Sequence, residues 1–176
     1  MEKGLIQVYC GDGKGKTTAA IGQGIRAVGQ GMKVIMIQFL KSPSSGEINV
    51  IKKLEPDFKV FNFERTRGFF WELNEEEKNE LKNDITNGIN FAKKVLDTQE
   101  CDMLILDELL GVVENNLITE DELCSLLDNK PIETEIILTG RKLPKKIEEI
   151  VHYVSWIEEK KHPIYSGIKA RKGIEF

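Results

Sequence analysis

Residues 10–18 read Cys10-Gly11-Asp12-Gly13-Lys14-Gly15-Lys16-Thr17-Thr18. The apolar run Leu5 to Tyr9 precedes them and predicts a buried strand, whereas Thr17 to Val28 predicts a helix. A strand, a glycine-rich turn and Gly-Lys-Thr at a helix start together form the P-loop pattern. Its glycines allow the backbone to turn N–H groups inward, and the helix N-terminus adds a partial positive charge. We therefore expect residues 11–18 to bind nucleotide phosphates, with Lys16 on phosphate oxygens and the Thr17 hydroxyl on Mg²⁺.

The position five residues before Gly15, which is glycine in the general P-loop pattern, is Cys10. Two interpretations are open for this residue. It is either a reactive thiol or a small buried residue at the end of the strand, and the pattern favours the buried residue.

The whole chain has the composition of an ordinary globular protein. Its 176 residues are 40% hydrophobic and 31% charged, with a net charge of −4. We expect a single domain spanning residues 1–176 and no broad nucleic-acid or anionic-membrane surface. No apolar run approaches the ~20 residues of a membrane span. Because the N-terminus leads directly into the first strand, we expect no signal peptide. Three cysteines without metal-ligand spacing indicate reduced thiols and a cytoplasmic protein.

Short apolar runs rich in β-formers alternate with helical stretches along the chain. This alternation is typical of an α/β fold in which a mostly parallel sheet is flanked by helices. The predicted strands after the first are residues 33–39, 58–63, 101–108, 134–139 and 152–158. The predicted helices after the first are residues 74–97, which begin with a capping box of Asn74 and Glu77, 119–127 and 144–150. Residues 41–47 and 64–72 are predicted loops.

The strand at residues 101–108 ends in Asp107 and Glu108, which is a Walker B pattern. We expect this strand to lie beside the P-loop strand, so that its carboxylates hold the Mg²⁺ that Thr17 also binds. Another predicted strand ends in Thr139-Gly140-Arg141. There Arg141 is a candidate phosphate clamp, with a surface salt bridge as the alternative.

Phe69, Phe70 and Trp71 are three consecutive aromatic residues in a predicted loop. Half-buried packing and a binding role are both open for them. The motifs leave three classes of function open: a transferase that uses ATP, a RecA-like ATPase motor, and a nucleotide-gated switch. The weakly acidic charge disfavours a DNA motor, and no base for a substrate hydroxyl stands out in the sequence.

Several stretches, taken together and in the same order, resemble the ATP:corrinoid adenosyltransferases, a cobalamin-biosynthetic family often called CobA or BtuR. The most specific are the Gly-Asp-Gly-Lys-Gly-Lys-Thr loop of residues 11–17 and the Lys-His-Pro of residues 161–163. The others are residues 34–41 with the following Gly-Glu, 68–72, 106–109 and 139–141. The family's loop also carries a small residue at its first position, so Cys10 fits it.

The resemblance implies a RecA-like P-loop NTPase fold, usually in a homodimer. It implies an enzyme that transfers the 5′-deoxyadenosyl group of ATP to the cobalt of a reduced corrinoid and releases intact triphosphate. The nucleophile is Co(I), which carries its own electron pair and therefore needs no base. The protein's task is then to position the reactants and to stabilise charge on the departing triphosphate.

The resemblance also implies roles for individual residues. Residues 11–18 bind the triphosphate, which Lys16 neutralises, and Thr17 and Glu108 hold Mg²⁺ with Asp107 in or next to that shell. Arg141 lies near the nucleotide or the corrin rim.

Phe69 and Trp71 match the family's aromatic residues beneath the corrin. There they displace the lower axial ligand, which gives a four-coordinate Co(II) that a flavoprotein or another reductant can reduce. The catalytic residues implied are Lys16, Phe69, Trp71 and Glu108. Many family members cover the partner's site with an N-terminal extension, whereas the first strand begins about four residues into this sequence, so we expect no lid from that source.

Overall fold

Within the described residues, six short strands form one sheet in which all neighbouring pairs are parallel. The structure, a computed structural model, describes residues 2–41, 46–64 and 70–174, and of Trp71 the backbone alone. The strands are β1 (Ile6–Cys10), β2 (Val34–Gln38), β3 (Phe58–Asn62), β4 (Met103–Asp107), β5 (Glu135–Gly140) and β6 (Tyr153–Trp156). Their order across the sheet is β3-β2-β4-β5-β1-β6.

Helices pack on both faces of this sheet. They are α1 (Lys16–Val28), α2 (Gly46–Ile51), α3 (Glu75–Asp97), α4 (Leu109–Glu114), α5 (Glu120–Asp128) and α6 (Lys145–Glu148). Short 3₁₀ helices lie at Lys52–Leu54, Phe70–Glu72 and Pro163–Ser166. In the part of the chain that the structure describes, no helix has both the length and the apolar character that a bilayer span requires.

Alternating strand side chains supply two separate apolar cores. In β4, Leu104 and Leu106 belong to the core that α3, α4 and α5 cover, whereas Met103 and Ile105 belong to the core that α1 covers. All residues of β4 are buried. This double burial is the reason why the strand is a continuous apolar run, as parallel strands covered on both faces are.

The predicted α/β fold with a parallel sheet flanked by helices is confirmed. Each predicted strand and helix is present, with ends that differ by a few residues. The capping box of α3 is confirmed as well. The backbone N–H of Glu77 donates to the Asn74 side chain at 2.9 Å, and the backbone N–H of Asn74 donates to the Glu77 carboxylate at 2.8 Å.

Two helices differ from the sequence-based prediction. Helix α2 begins at Gly46, inside the predicted loop 41–47, and α4 follows β4 directly, where the sequence pattern indicates no helix. Residues 109–113 of α4 are all buried. Because the helix has almost no polar face, its sequence lacks the periodicity by which a surface helix is detected.

The prediction that the strand ending in Asp107 and Glu108 lies beside the P-loop strand is wrong. Strand β4 does not lie beside β1, because β5 lies between them and pairs with both. An uninterrupted apolar run shows that a strand is covered on both faces, but it does not show which strands lie beside it. Helix α1 packs across β1, β5 and β4, so its N-terminus still reaches the end of β4.

Cys10 is a buried residue at the end of β1, as the P-loop pattern favours. Burial raises the pKa of its thiol, and burial also raises the pKa of the Cys101 thiol, to about 12. Because the thiolate is the reactive form, Cys10 is an inert packing residue.

Two glycines of α1 offer a matched test of helix–sheet packing. A Cβ at Gly24 would lie 2.7 Å from Cε1 of Phe58, a fully buried ring in β3, whereas a Cβ at Gly22 would meet nothing within 4 Å. We expect Gly24→Ala to lower the free energy of unfolding by about 1–2 kcal/mol, because overpacking outweighs the gain in helix propensity. Gly22→Ala should raise it by up to about 1 kcal/mol. Urea denaturation measures both changes, and equal stability of the two variants would contradict this packing.

Candidate nucleotide-binding site

The P-loop connects β1 to α1 in a conformation that two glycines make possible. Gly11 has φ 110° and Gly15 has φ 116°, in the left-handed region that favours glycine. The backbone N–H of Gly11 donates to the carbonyl of Arg141 at 2.9 Å, and this bond ties the loop to the end of β5. No side chain caps the N-terminus of α1. Its first N–H groups are therefore available to an anion such as a phosphate.

Lys16 is the first residue of α1, and its side chain folds back over the loop. Its ammonium donates to the carbonyl of Gly13 at 2.8 Å. Burial lowers the pKa of Lys16, an effect that the Glu108 carboxylate opposes and the charges of Arg141 and Lys41 reinforce. Lys16 is therefore close enough to both Arg141 and Lys41 to be repelled by their charges. A polyphosphate bound among them would relieve that repulsion.

Asp107 is fully buried at the end of β4. Its Oδ1 accepts hydrogen bonds from the hydroxyls of Thr17 at 2.9 Å and Thr139 at 2.7 Å. Its Oδ2 accepts hydrogen bonds from the ammonium of Lys41 at 2.6 Å and from the Gln38 amide at 3.4 Å. The structure thus brings Thr17 and Asp107 together, as the P-loop and Walker B patterns predict, although β5 separates their strands.

Glu108 follows Asp107 in a strained backbone conformation. Its φ of 60° places it in the left-handed region, and its backbone N–H donates to the Thr139 hydroxyl at 2.8 Å. Burial raises the pKa of the Glu108 carboxyl, and the charge of Asp107 adds to this effect. Strain of this kind persists only where the surroundings enforce it, and it is found at functional sites.

Lys41 lies between the P-loop and β4. Its ammonium donates to the Thr17 hydroxyl and to Asp107 Oδ2, both at 2.6 Å. The sequence motifs predict no individual role for Lys41, Gln38 or Thr139. One signal points to all three, since each lies at or just after the carboxyl end of a buried parallel strand, where open α/β sheets bind ligands.

The donor set around Asp107 fits a hard divalent cation such as Mg²⁺. Thr17, Asp107 and Glu108 offer a hydroxyl and two carboxylates, which are oxygen ligands of the type that Mg²⁺ prefers. The Oε1 atom of Gln38 is buried beside Asp107 without a hydrogen-bond partner among the described residues, so it can accept from a water bound to the ion. The described residues hold no cluster of three or more acidic, histidine or cysteine ligands. Water and phosphate would complete the coordination, as is usual for Mg²⁺.

Arg141 is an exposed side chain at the rim of an open cleft of about 460 Å³ beside the P-loop. The cleft is lined by Asp12, Arg141, Trp156, Glu158, Glu159 and Tyr165. The Arg141 charge acts on the pKa values of both Lys16 and Glu108, so Arg141 lies at the edge of the candidate site. His162 has a structural role, because its Nδ1 accepts from the backbone N–H of Ile164 at 3.1 Å.

The aromatic residues 69–71 are described only in part. Phe69 and the side chain of Trp71 lie outside the described residues, so their predicted role beneath a corrin stays a prediction. Phe70 is half-buried against the core that α3 covers, and the ammonium of Lys78 lies 6.0 Å from its ring centroid. Phe70 is therefore a packing residue.

Comparison with known proteins decides between the classes that the motifs leave open. The family model described as ATP:corrinoid adenosyltransferase BtuR/CobO/CobP matches residues 2–176. The chain belongs to this adenosyltransferase family. The corrinoid adenosyltransferase of Escherichia coli (strain K12) is 35% identical to it, with 99% of this chain and 87% of that protein covered. Corrinoid adenosyltransferase CobA of Salmonella typhimurium (strain LT2) is 34% identical, with the same shares of 99% and 87%.

The fold agrees with that of a solved KaiC-like protein. A KaiC-like protein from Pyrococcus horikoshii OT3 superimposes with a TM-score of 0.53 at 17% identity, covering 91% of this chain and 75% of that one. The likeness supports the predicted RecA-like P-loop NTPase fold for this adenosyltransferase. The family identifies the chain as an enzyme and resolves the three open classes in favour of the transferase.

Thr139 gives a direct test of the network around Asp107. Thr139→Val removes one donor to the buried carboxylate and leaves the backbone N–H of Glu108 without its acceptor. We expect the free energy of unfolding to fall by about 1–3 kcal/mol, because buried polar groups are left unpaired. Thr139→Ser keeps the hydroxyl and is the matched control, with a smaller loss. Urea denaturation compares the two, and a valine variant as stable as the serine variant would disprove the network.

Proposed function

We propose that this adenosyltransferase moves the 5′-deoxyadenosyl group of ATP to Co(I) of a reduced corrinoid and releases triphosphate. The observation that carries the proposal is the convergence of three cationic residues on the P-loop. Lys16 donates to the Gly13 carbonyl, Lys41 donates to the Thr17 hydroxyl, and the carbonyl of Arg141 accepts from the Gly11 N–H. Three positive charges around a P-loop suit a reaction in which a polyphosphate gathers charge as the leaving group.

The chemical step requires little from the protein beyond placement and charge. The electron pair of Co(I) forms the bond to C5′ of the ribose, and the bond from C5′ to the phosphate oxygen breaks with its electrons on triphosphate. No proton is transferred in this step. The P-loop N–H groups and Lys16 would hold the triphosphate, and Arg141 and Lys41 would stabilise its added charge.

Thr17, Asp107 and Glu108 are the residues that would hold Mg²⁺. When bound, the ion supplies positive charge against the triphosphate. Thr17 at the start of α1 and Asp107 at the end of β4 are already joined by a hydrogen bond of 2.9 Å, so the two sides of such a site are preorganised.

The remaining proposals come from the family resemblance. Phe69 and Trp71 would form an apolar platform that excludes water and the lower ligand from cobalt, so that a flavoprotein or another reductant can deliver the electron. A homodimer and a cytoplasmic location are proposed on the same basis. Three unpaired cysteines agree with a reducing compartment.

The products of a single reaction test the proposed chemistry. Protein, ATP, Mg²⁺ and chemically reduced cobalamin under anaerobic conditions should yield adenosylcobalamin and triphosphate, which chromatography separates from ADP and phosphate. Lys16→Ala should lower kcat/KM by about 100-fold or more, because the leaving group loses a preorganised positive charge. Lys146→Ala, which removes an exposed ion pair with Asp121, is the control and should retain the wild-type rate. The appearance of ADP or phosphate in place of triphosphate would refute the proposal.

The aromatic platform is tested by supplying cobalt in two oxidation states. With Co(II) and a mild reductant, Phe69→Ala and Trp71→Ala should react about tenfold or more slowly, which corresponds to about 1.4 kcal/mol in the barrier. With Co(I) already formed, the same variants should be nearly as fast as the wild type. Tyr153→Ala removes an exposed aromatic residue at the opposite edge of the sheet from β3 and should leave both rates unchanged. Equal losses in the two assays would remove the platform role.

A further inference from the structure

The carboxylate of Asp107 has no acceptor position left. An ionised carboxylate accepts about four hydrogen bonds, two on each oxygen. Thr17 and Thr139 donate to Oδ1 at 2.9 and 2.7 Å. Lys41 and Gln38 donate to Oδ2 at 2.6 and 3.4 Å. A cation that binds this carboxylate directly must therefore displace one of these donors.

Lys41 is the donor that can leave. Thr139 and Gln38 are buried in strands β5 and β2, and Thr17 is held by the first turn of α1. Lys41 lies just after β2, and its side chain is 27% exposed. Its backbone carbonyl accepts from the Asn62 amide at 2.9 Å, so the main chain is fixed while the long side chain is free to change rotamer.

Charge repulsion also prevents the Lys41 ammonium and a divalent cation from binding to Asp107 at the same time. The Lys41 ammonium contacts Thr17 Oγ1 and Asp107 Oδ2, the same two oxygens that a divalent cation would use. With both cations present, three positive charges would share the single buried carboxylate of Asp107. Like charges in a buried site repel strongly, so only one of the two cations can occupy these oxygens.

We propose that Lys41 is an exchangeable counter-ion of the metal site, which holds Thr17 and Asp107 together until a divalent cation takes its place. This inference rests on the proposed cation site. The exchange keeps the buried Asp107 carboxylate paired with a cation at every stage. An unpaired charge at this position would destabilise the protein. Lys41 then competes with the cation and lowers its affinity for the protein without nucleotide.

The test measures cation binding directly, without a corrinoid and without turnover. Mn²⁺ is titrated into the full chain without nucleotide, and free Mn²⁺ is followed by its EPR signal. If Lys41 occupies the oxygens in about nine molecules of ten, Lys41→Met should bind Mn²⁺ about tenfold more tightly than the wild type. Lys41→Gln keeps a hydrogen-bond donor without the charge and should also bind more tightly. Lys146→Met removes an ammonium from an exposed ion pair with Asp121, and this variant should bind Mn²⁺ as tightly as the wild type does.

Thermal unfolding supplies a second readout. In EDTA, Lys41→Met should melt below the wild type because Asp107 loses its counter-ion, and Mn²⁺ should raise the melting temperature of the variant more than that of the wild type. Unchanged or weaker Mn²⁺ binding in both Lys41 variants, when the wild type with ATP binds Mn²⁺ normally, would overturn the role of Lys41 alone. Failure of the wild type to bind Mn²⁺ even with ATP would overturn the cation site and this inference with it.

Discussion

Asp107 is fully buried, and a buried carboxylate is tolerated only when hydrogen bonds and a cation replace the water that it has lost. This requirement joins three elements and one loop residue. Donors come from α1, from β2, from β5 and from Lys41, three residues after β2. Secondary structure holds three of these donors in place, and the contacts that satisfy one charge also bring Thr17 and Lys41 together. The arrangement of the candidate nucleotide site therefore follows from the need to compensate one buried charge.

The strand order explains how residues so far apart in sequence meet. The carboxyl ends of β1, β2, β4 and β5 lie along one edge of a parallel sheet. The P-loop, Lys41, Asp107 and Arg141 follow these strands, so they converge there. This edge carries side chains of both charges. Lys16, Lys41 and Arg141 surround Glu108, whose carboxyl has a raised pKa because of burial and Asp107. Such a site favours an anionic substrate that brings its own cation.

Much of this architecture can be predicted from local sequence. The P-loop is recognisable because its glycines, Lys16 and Thr17 serve backbone geometry and phosphate chemistry that few other sequences combine. The strands are recognisable because burial on both faces demands uninterrupted apolar runs. The position of β5 between β1 and β4 is not predictable in this way, because neighbour choice depends on packing across the whole sheet. The roles of Lys41 and Thr139 are missed for the same reason, since those roles arise only from proximity to Asp107, which no local motif specifies.

The placement of β5 has a consequence for how the site is assembled as the chain is made. Both β1 and β4 precede β5 in sequence, yet they are held apart by the width of the strand that fills the gap between them. A growing chain that ends before residue 134 already carries its P-loop and both acidic residues, but not the strand that sets their separation or the hydroxyl that pairs with Asp107. Insertion of a central parallel strand is a non-local event, which is slow compared with helix formation. The distance between the P-loop and the two carboxylates is therefore fixed only once β5 has paired with both β1 and β4.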